Sequence, residues 1–166
     1  MADSKKKQPP SCFDKAVDLL ARRAHFRLEL ERKLTSRGYD SGQIEGAIER
    51  LLELGYLNER STAEHYVNGR LRRGDFGPRR LVAELRQRGV DGDLAGEIVR
   101  EKIGDEAELA RRAAERWLRI KAGRATPAAL ARHLERAGFS SSLVWEELRR
   151  FEADSESSAT TPGWMD

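Results

Sequence analysis

GPRRLVAELRQRGV, residues 77–90, carries its own start and stop signals for a short helix. Pro78 has no N–H to lose and a φ already suited to the first helical position, so it opens a helix with Gly77 before it as the N-cap candidate. Leu81 and Leu85, four residues apart, fall on one face. Gly89 supplies the left-handed residue that ends the helix, and Val90 follows as the apolar residue that packs back onto it. The same grammar recurs as Leu30, Leu34, Gly38 and Tyr39, and again as Leu130, Leu134, Gly138 and Phe139. Pro127, preceded by Thr126, stands as far before Gly138 as Pro78 stands before Gly89. The glycines 38, 89 and 138 set a period of about 50 residues, the signature of a tandem repeat.

Around these anchors, apolar residues recur at helical spacing: Ala16, Leu19 and Leu20; Ile44, Ala47, Ile48, Leu51 and Leu52; Leu94, Ile98 and Val99; Leu143, Val144 and Leu148. The alternation of strands is absent. Each unit reads as a helix, a short helix closed by the anchor glycine, and a third helix opened by a polar cap such as Asp40 with Gln43. Ser61 with Glu64 reads as a capping box opening the helix after the Gly55-Tyr56-Leu57-Asn58 junction, and a second junction spans Lys102 to Asp105. The expectation is an all-α protein of three tandem three-helix repeats, at 12–57, 58–104 and 105–154. Modules of about 45 residues bury too little apolar area to stand alone, so they should stack into an elongated, curved array. The polar ends, 1–11 and 155–166, read as disordered tails.

Composition narrows the function. Of 166 residues, 36% are charged and 7% aromatic, and the apolar runs are too short for a membrane span or a secretory leader, which points to a cytoplasmic protein; a monomer is expected. A single cysteine, Cys12, excludes an internal disulfide and a cysteine metal site, and reads as a half-buried apolar residue at a helix start. His25, His65 and His133 are widely separated and read as surface or capping residues, so no metal is expected. There is no phosphate-binding glycine loop, nucleophile elbow or paired Cys/His set, so neither an enzyme, a cofactor nor a small-molecule substrate is indicated. Trp117 and Trp145 sit at helical apolar positions and read as core.

The charge is unevenly placed. Arg70, Arg72, Arg73, Arg79, Arg80, Arg86 and Arg88 face only Asp75 and Glu84 across residues 70–88, a local excess of +5. A second run holds Arg111, Arg112, Arg116, Arg119, Lys121 and Arg124. Arginine outnumbers lysine 24 to 7, and its planar fork pairs bidentately with phosphate or carboxylate. Arg79 and Arg80 in the first turn oppose their own helix dipole, which suggests an external anion drawing arginines and backbone N–H groups to one spot. Pairs such as Glu31 with Arg27, and Glu84 with Arg80 and Arg88, read as solvated helix pairs. With no polar set for base edges and few aromatics, any nucleic-acid contact would be backbone-led.

The stretch from Ala21 to Leu34, the Gly55-Tyr56-Leu57 junction, Ala63-Glu64-His65-Tyr66-Val67 and the Gly77-to-Gly89 helix resemble the RecX regulatory proteins over about residues 13 to 152. The resemblance implies three tandem three-helix repeats without catalytic activity. It also implies a bacterial cytoplasmic protein bound in the groove of the RecA recombinase filament on single-stranded DNA. There such proteins usually suppress ATPase, strand exchange and coprotease functions, and so regulate DNA repair and recombination. Phe26 stands where the family commonly has a helix-opening Ser, Ala24 where an acid precedes it, Asn58 where an Asp follows Gly-Tyr-Leu, and Thr62 where a Phe is usual. The residues themselves leave two other readings open. One is an autonomous, nonspecific DNA-binding protein with no recombinase partner; the other is a helical scaffold for an acidic protein.

Overall fold

The computed structural model describes residues 10–121 and 123–159, with side chains through residue 155. These residues form nine α-helices and no strand: α1 (Cys12–Arg22), α2 (Arg27–Thr35), α3 (Ser41–Glu53), α4 (Glu59–Arg73), α5 (Pro78–Arg86), α6 (Gly92–Ile103), α7 (Glu106–Lys121), α8 (Pro127–Ala137) and α9 (Ser141–Ala159). The anchor glycines Gly38, Gly89 and Gly138 all take positive φ, at 88°, 90° and 94°. Each follows a short helix, α2, α5 or α8, as the repeat required. Among the described residues two compact units result, one of residues 10–63 with 87–90 and one of residues 64–86 with 91–121 and 123–159.

In the first unit, α1, α2 and α3 pack through Ala16 and Leu19, Leu30 and Leu34, and Ile44, Ala47, Ile48 and Leu51, with Leu57 closing the core. Burying each of the larger aliphatic side chains stabilises the bundle by about 1.5–3 kcal/mol. The helix starts are held locally. Ser11 Oγ accepts from the Asp14 amide at 3.1 Å, and Asp40 and Gln43 form the reciprocal capping box expected of them. Pro10 and Ser11 belong to this bundle and not to a tail, since the Tyr39 hydroxyl donates to the Pro10 carbonyl at 2.8 Å. Cys12 is buried. Phe26 occupies the N-cap of α2 with no side-chain hydrogen bond, and is itself buried.

Three sequence expectations need correction. His25 is not on the surface: it is only 3% exposed, with Nδ1 2.9 Å from the Arg23 carbonyl oxygen. The cap of α4 is Asn58, whose Oδ1 accepts from the Ser61 amide at 2.9 Å, so the cap lies three residues before Ser61 and the helix starts at Glu59. Asx side chains satisfy orphan N–H groups wherever the chain turns into the helix, and Asn58 reaches them first. Trp145 is 64% exposed and lies outside the core, whereas Trp117 is half-buried.

The second unit is built on α7, α8 and α9. Leu109, Ala110, Ala113 and Ala114 meet Leu130, Leu134 and Ala137, with Phe139, Val144 and Leu148 completing the core; Leu71 of α4 and Ile103 of α6 pack against it. Helices α5 and α6 pair beside it, with Leu81 and Leu85 buried on one and Ala95, Ile98 and Val99 on the other. Asp105 caps α7 by accepting from the Ala107 and Glu108 amides at 2.9 and 3.1 Å. Helix α9 continues through Ala159, past the boundary expected at 154. The remaining expected tail residues, 1–9 and 160–166, lie outside the described residues. Among the described residues no helix is long and apolar enough to cross a membrane.

Candidate functional site

The Gly77-Pro78 start of α5 is seated on the end of α8. The Gly77 N–H donates to the Ala137 carbonyl at 2.8 Å and the Arg79 N–H to the Gly138 carbonyl at 3.2 Å. Pro78, lying between them, has no N–H that needs a partner. The approach is close enough to require both glycines. A Cβ on Gly77 would meet the Gly138 carbonyl group and the Phe139 nitrogen, the latter at 2.6 Å, and one on Gly138 would lie 2.5 Å from the Arg80 backbone nitrogen and Cβ. The orphan carbonyls of one helix thus satisfy orphan N–H groups of another. Two of the N–H groups that the expected external anion would meet, those of Gly77 and Arg79, are therefore taken by the carbonyl end of α8, which supplies a negative pole facing α5.

Above this seat the arginines divide into two kinds. Arg70 and Arg80 are engaged internally around Glu84. Arg70 grips the Glu84 carboxylate through Nε at 2.8 Å and an Nη at 2.6 Å, while Arg80 Nε donates at 3.1 Å and the Tyr66 hydroxyl at 2.8 Å. Both guanidiniums lie against the Phe76 ring, at 3.8 and 4.7 Å from its centroid, and Arg80 also reaches the Arg136 carbonyl at 3.3 Å. Burial pushes the Glu84 carboxyl up, but the hydrogen bonds from Arg70, Tyr66 and Arg80 outweigh it and hold it below the usual carboxylate range. The solvated i,i+4 pair read from the sequence is therefore a half-buried hub. Its principal partner, fourteen residues away, and the two aromatic contributors Tyr66 and Phe76 left no local signal.

Most of the others are exposed. Arg72, Arg73 and Arg79 are exposed at the α4–α5 junction, Arg73 bonding only back to the Gly69 carbonyl at 3.0 Å among the hydrogen bonds described for it. Arg86 is exposed at the end of α5, beside Asp91. Arg88 is half-buried and groups with the first unit. Along α7, Arg111 pairs with Glu115 at 3.1 Å, and Arg112 and Arg119 are exposed. Arg116 reaches back to Asp75 at 3.7 Å, joining the two arginine runs within the second unit. Lys121 and Arg124 are exposed at and after the end of α7, with Lys121 Nζ 5.9 Å from the Trp117 ring centroid. Trp117 stacks on His133 at 5.5 Å, and burial, followed by Arg136 and Lys121, pushes the His133 imidazole below its usual range. Among the described residues no three His, Cys, Asp or Glu side chains cluster to hold a metal.

The family model for the RecX first three-helix domain matches residues 12–51, and that for the RecX second three-helix domain matches residues 58–97. Regulatory protein RecX of Halorhodospira halophila (strain DSM 244 / SL1) is 40% identical over 133 residues, which cover 79% of this chain and 82% of that protein. The chain belongs to the RecX family. Regulatory protein RecX of Ectopseudomonas mendocina (strain ymp) is similar as well, at 44% over 109 residues, 66% of this chain and 70% of the relative. The RecX fold extends to distant members. A crystal structure of RecX from Lactobacillus salivarius matches with a TM-score of 0.73 at 22% identity, over 86% of this chain and 95% of that one. Another crystal structure of regulatory protein RecX matches at 0.74 and 20%, over 84% and 70%. Of this chain's departures from usual RecX residues, Asn58 still caps its helix while Phe26 provides no side-chain cap.

Proposed function

We propose that this RecX-family chain binds the RecA recombinase filament on single-stranded DNA and lowers its ATPase, strand-exchange and coprotease activities. It would thereby restrain repair and recombination without catalysing a reaction of its own. Family membership supports the partner. The observation that carries the site is the separation of arginines into engaged and outward-pointing groups. Arg70 and Arg80 stiffen the α4–α5 junction through Glu84, and the exposed Arg72, Arg73 and Arg79 present their charge from it. Arg112, Arg119, Lys121 and Arg124 extend the cationic surface along α7 and just beyond it. Pre-ordered arginines lose less freedom on meeting a carboxylate or phosphate, so a rigid junction favours tight contact.

The test is the DNA-dependent ATPase of the cognate recombinase on fully coated single strands, titrated with the chain well below one copy per recombinase subunit. Turnover should fall at those ratios. Replacing Arg72 and Arg79 with Ala should leave helicity intact and raise the chain concentration needed by at least about tenfold, since even one charge-assisted contact contributes about 1.5–3 kcal/mol where it is made. Inhibition only once the chain is abundant enough to coat the DNA itself would instead assign a nonspecific DNA-binding protein. Unchanged inhibition by the double variant would remove these arginines from the interface.

A further inference from the structure

Trp117 and Ile120, one turn apart on α7, together line two neighbouring clefts of the second unit. His133 faces one of them and stacks on the indole at 5.5 Å with the rings 23° apart. The other cleft, of about 440 Å³, is walled by Trp117, Ile120, Lys121, Arg124 and Ala129. That is within the range of clefts that hold small organic groups, about 300–1,000 Å³. Ile120 is 72% exposed at its edge and, next to the half-buried Trp117, presents apolar surface to whatever enters the cleft. Both charged residues on the rim are cationic, and the Lys121 ammonium lies near the indole ring.

A flat aromatic ring, an exposed aliphatic neighbour and two cations at the rim match a single-stranded nucleotide. A base lies on the ring and aliphatic surface, and the flanking phosphates meet the ammonium and guanidinium. An acidic peptide would satisfy Lys121 and Arg124 but brings no flat apolar ring to cover Ile120 and the solvent-facing part of the half-buried indole, whose other neighbour is His133. We propose that this cleft holds one unstacked base of a single strand, so that the chain touches nucleic acid directly. The base packs on Trp117 and Ile120, and its phosphates pair with Lys121 and Arg124. The stacking accepts any base, because each has a π-face. This inference rests on the proposed function only in taking single-stranded DNA as the strand encountered.

Trp117, Trp145 and Trp164 are the three tryptophans, so the Trp145→Phe, Trp164→Phe double variant leaves Trp117 as the sole indole reporter. Titrating it with oligothymidylate at low salt, without recombinase, should quench the Trp117 emission to saturation. Trp117→Ala should weaken binding of a fluorescently labelled oligonucleotide about tenfold, as expected for loss of one stacked base. Because Trp117 also packs against the core, Ile120→Asp is the companion variant; its side chain is in solvent, so it should fold normally and still weaken binding severalfold. Emission unchanged while the oligonucleotide is demonstrably bound, or Ile120→Asp with unaltered affinity, overturns the proposal. So does quenching by recombinase alone with none by oligonucleotide, which would give the cleft to a protein. The two readings fail separately: sub-stoichiometric ATPase inhibition with a silent Trp117 spares the filament reading, and a quenched Trp117 without such inhibition spares the base site.

Discussion

Replacing Gly77 with Ala tests the seat between α5 and α8 directly. The added methyl carbon would fall 2.6 Å from the Phe139 nitrogen and against the Gly138 carbonyl group, all of it backbone with no side chain to swing away. Either the α5 entry lifts off or the α8 end distorts. Lifting off sacrifices the Gly77 and Arg79 hydrogen bonds, of 2.8 and 3.2 Å, at about 1 kcal/mol each. Forcing the methyl into a closed contact costs about 1–3 kcal/mol. Some relief of one reduces the other, so a loss of about 3 kcal/mol is expected, a large share of the 5–15 kcal/mol typical of a domain. With a urea m-value of about 2 kcal/mol/M, the unfolding midpoint followed by circular dichroism should drop by about 1.5 M. Gly96→Ala is the matched control: Gly96 lies inside α6, where a Cβ meets no heavy atom within 4 Å, so the same methyl should stabilise by about 0.5–1 kcal/mol. A Gly77→Ala midpoint within about 0.3 M of the parent would refute the reasoning, because the clash would then be relieved at almost no cost.

Two other perturbations address the buried carboxylates. Glu84→Gln keeps the shape of the hub but removes the charge that Arg70, Tyr66 and Arg80 address, and should cost about 1–3 kcal/mol near neutral pH. The folded state holds the Glu84 carboxyl below 4.5, so its contribution is complete above that value and fades as pH falls through the lower folded one. Parent and variant should therefore converge in strong acid; a gap that does not narrow in urea melts across pH would remove the charge from the account. Glu147 of α9 behaves oppositely. Burial pushes its carboxyl above 4.5 despite the Arg150 contact at 2.7 Å, so folding favours the protonated form and that contribution is lost as pH rises through the raised value. Glu147→Gln should accordingly melt higher than the parent at neutral pH and no higher below pH 4.5, and a pH-independent difference would contradict this.

The fold was legible because its decisive signals are local. A proline that starts a helix, leucines four apart and a glycine that ends it act within a dozen residues, and Gly38, Gly89 and Gly138 took the left-handed conformation their spacing demanded. The errors came where a neighbour in sequence was displaced by a neighbour in space. Glu84 has Arg80 four residues away, a spacing that predicts a solvated pair, yet Arg70 and Tyr66 reach it from another helix. The arginine-flanked Gly-Pro turn suggests an outside anion because nothing in residues 77–90 announces the carbonyls of Ala137 and Gly138 that accept from Gly77 and Arg79. Trp117 and Trp145 share a helical apolar spacing, but one is half-buried and the other faces solvent, a difference that periodicity alone does not encode.

The seat of α5 also has a consequence in time. A ribosome delivers Gly77 about sixty residues before Gly138, and at about 5–20 residues per second the interval is about 3–12 s. Until the end of α8 emerges, the arginine-rich α5 entry has no carbonyls from that helix to rest on, so the nascent segment waits with its backbone donors solvated. A transcript truncated anywhere before that point would release a product whose most strongly signalled helix has a beginning without its partner.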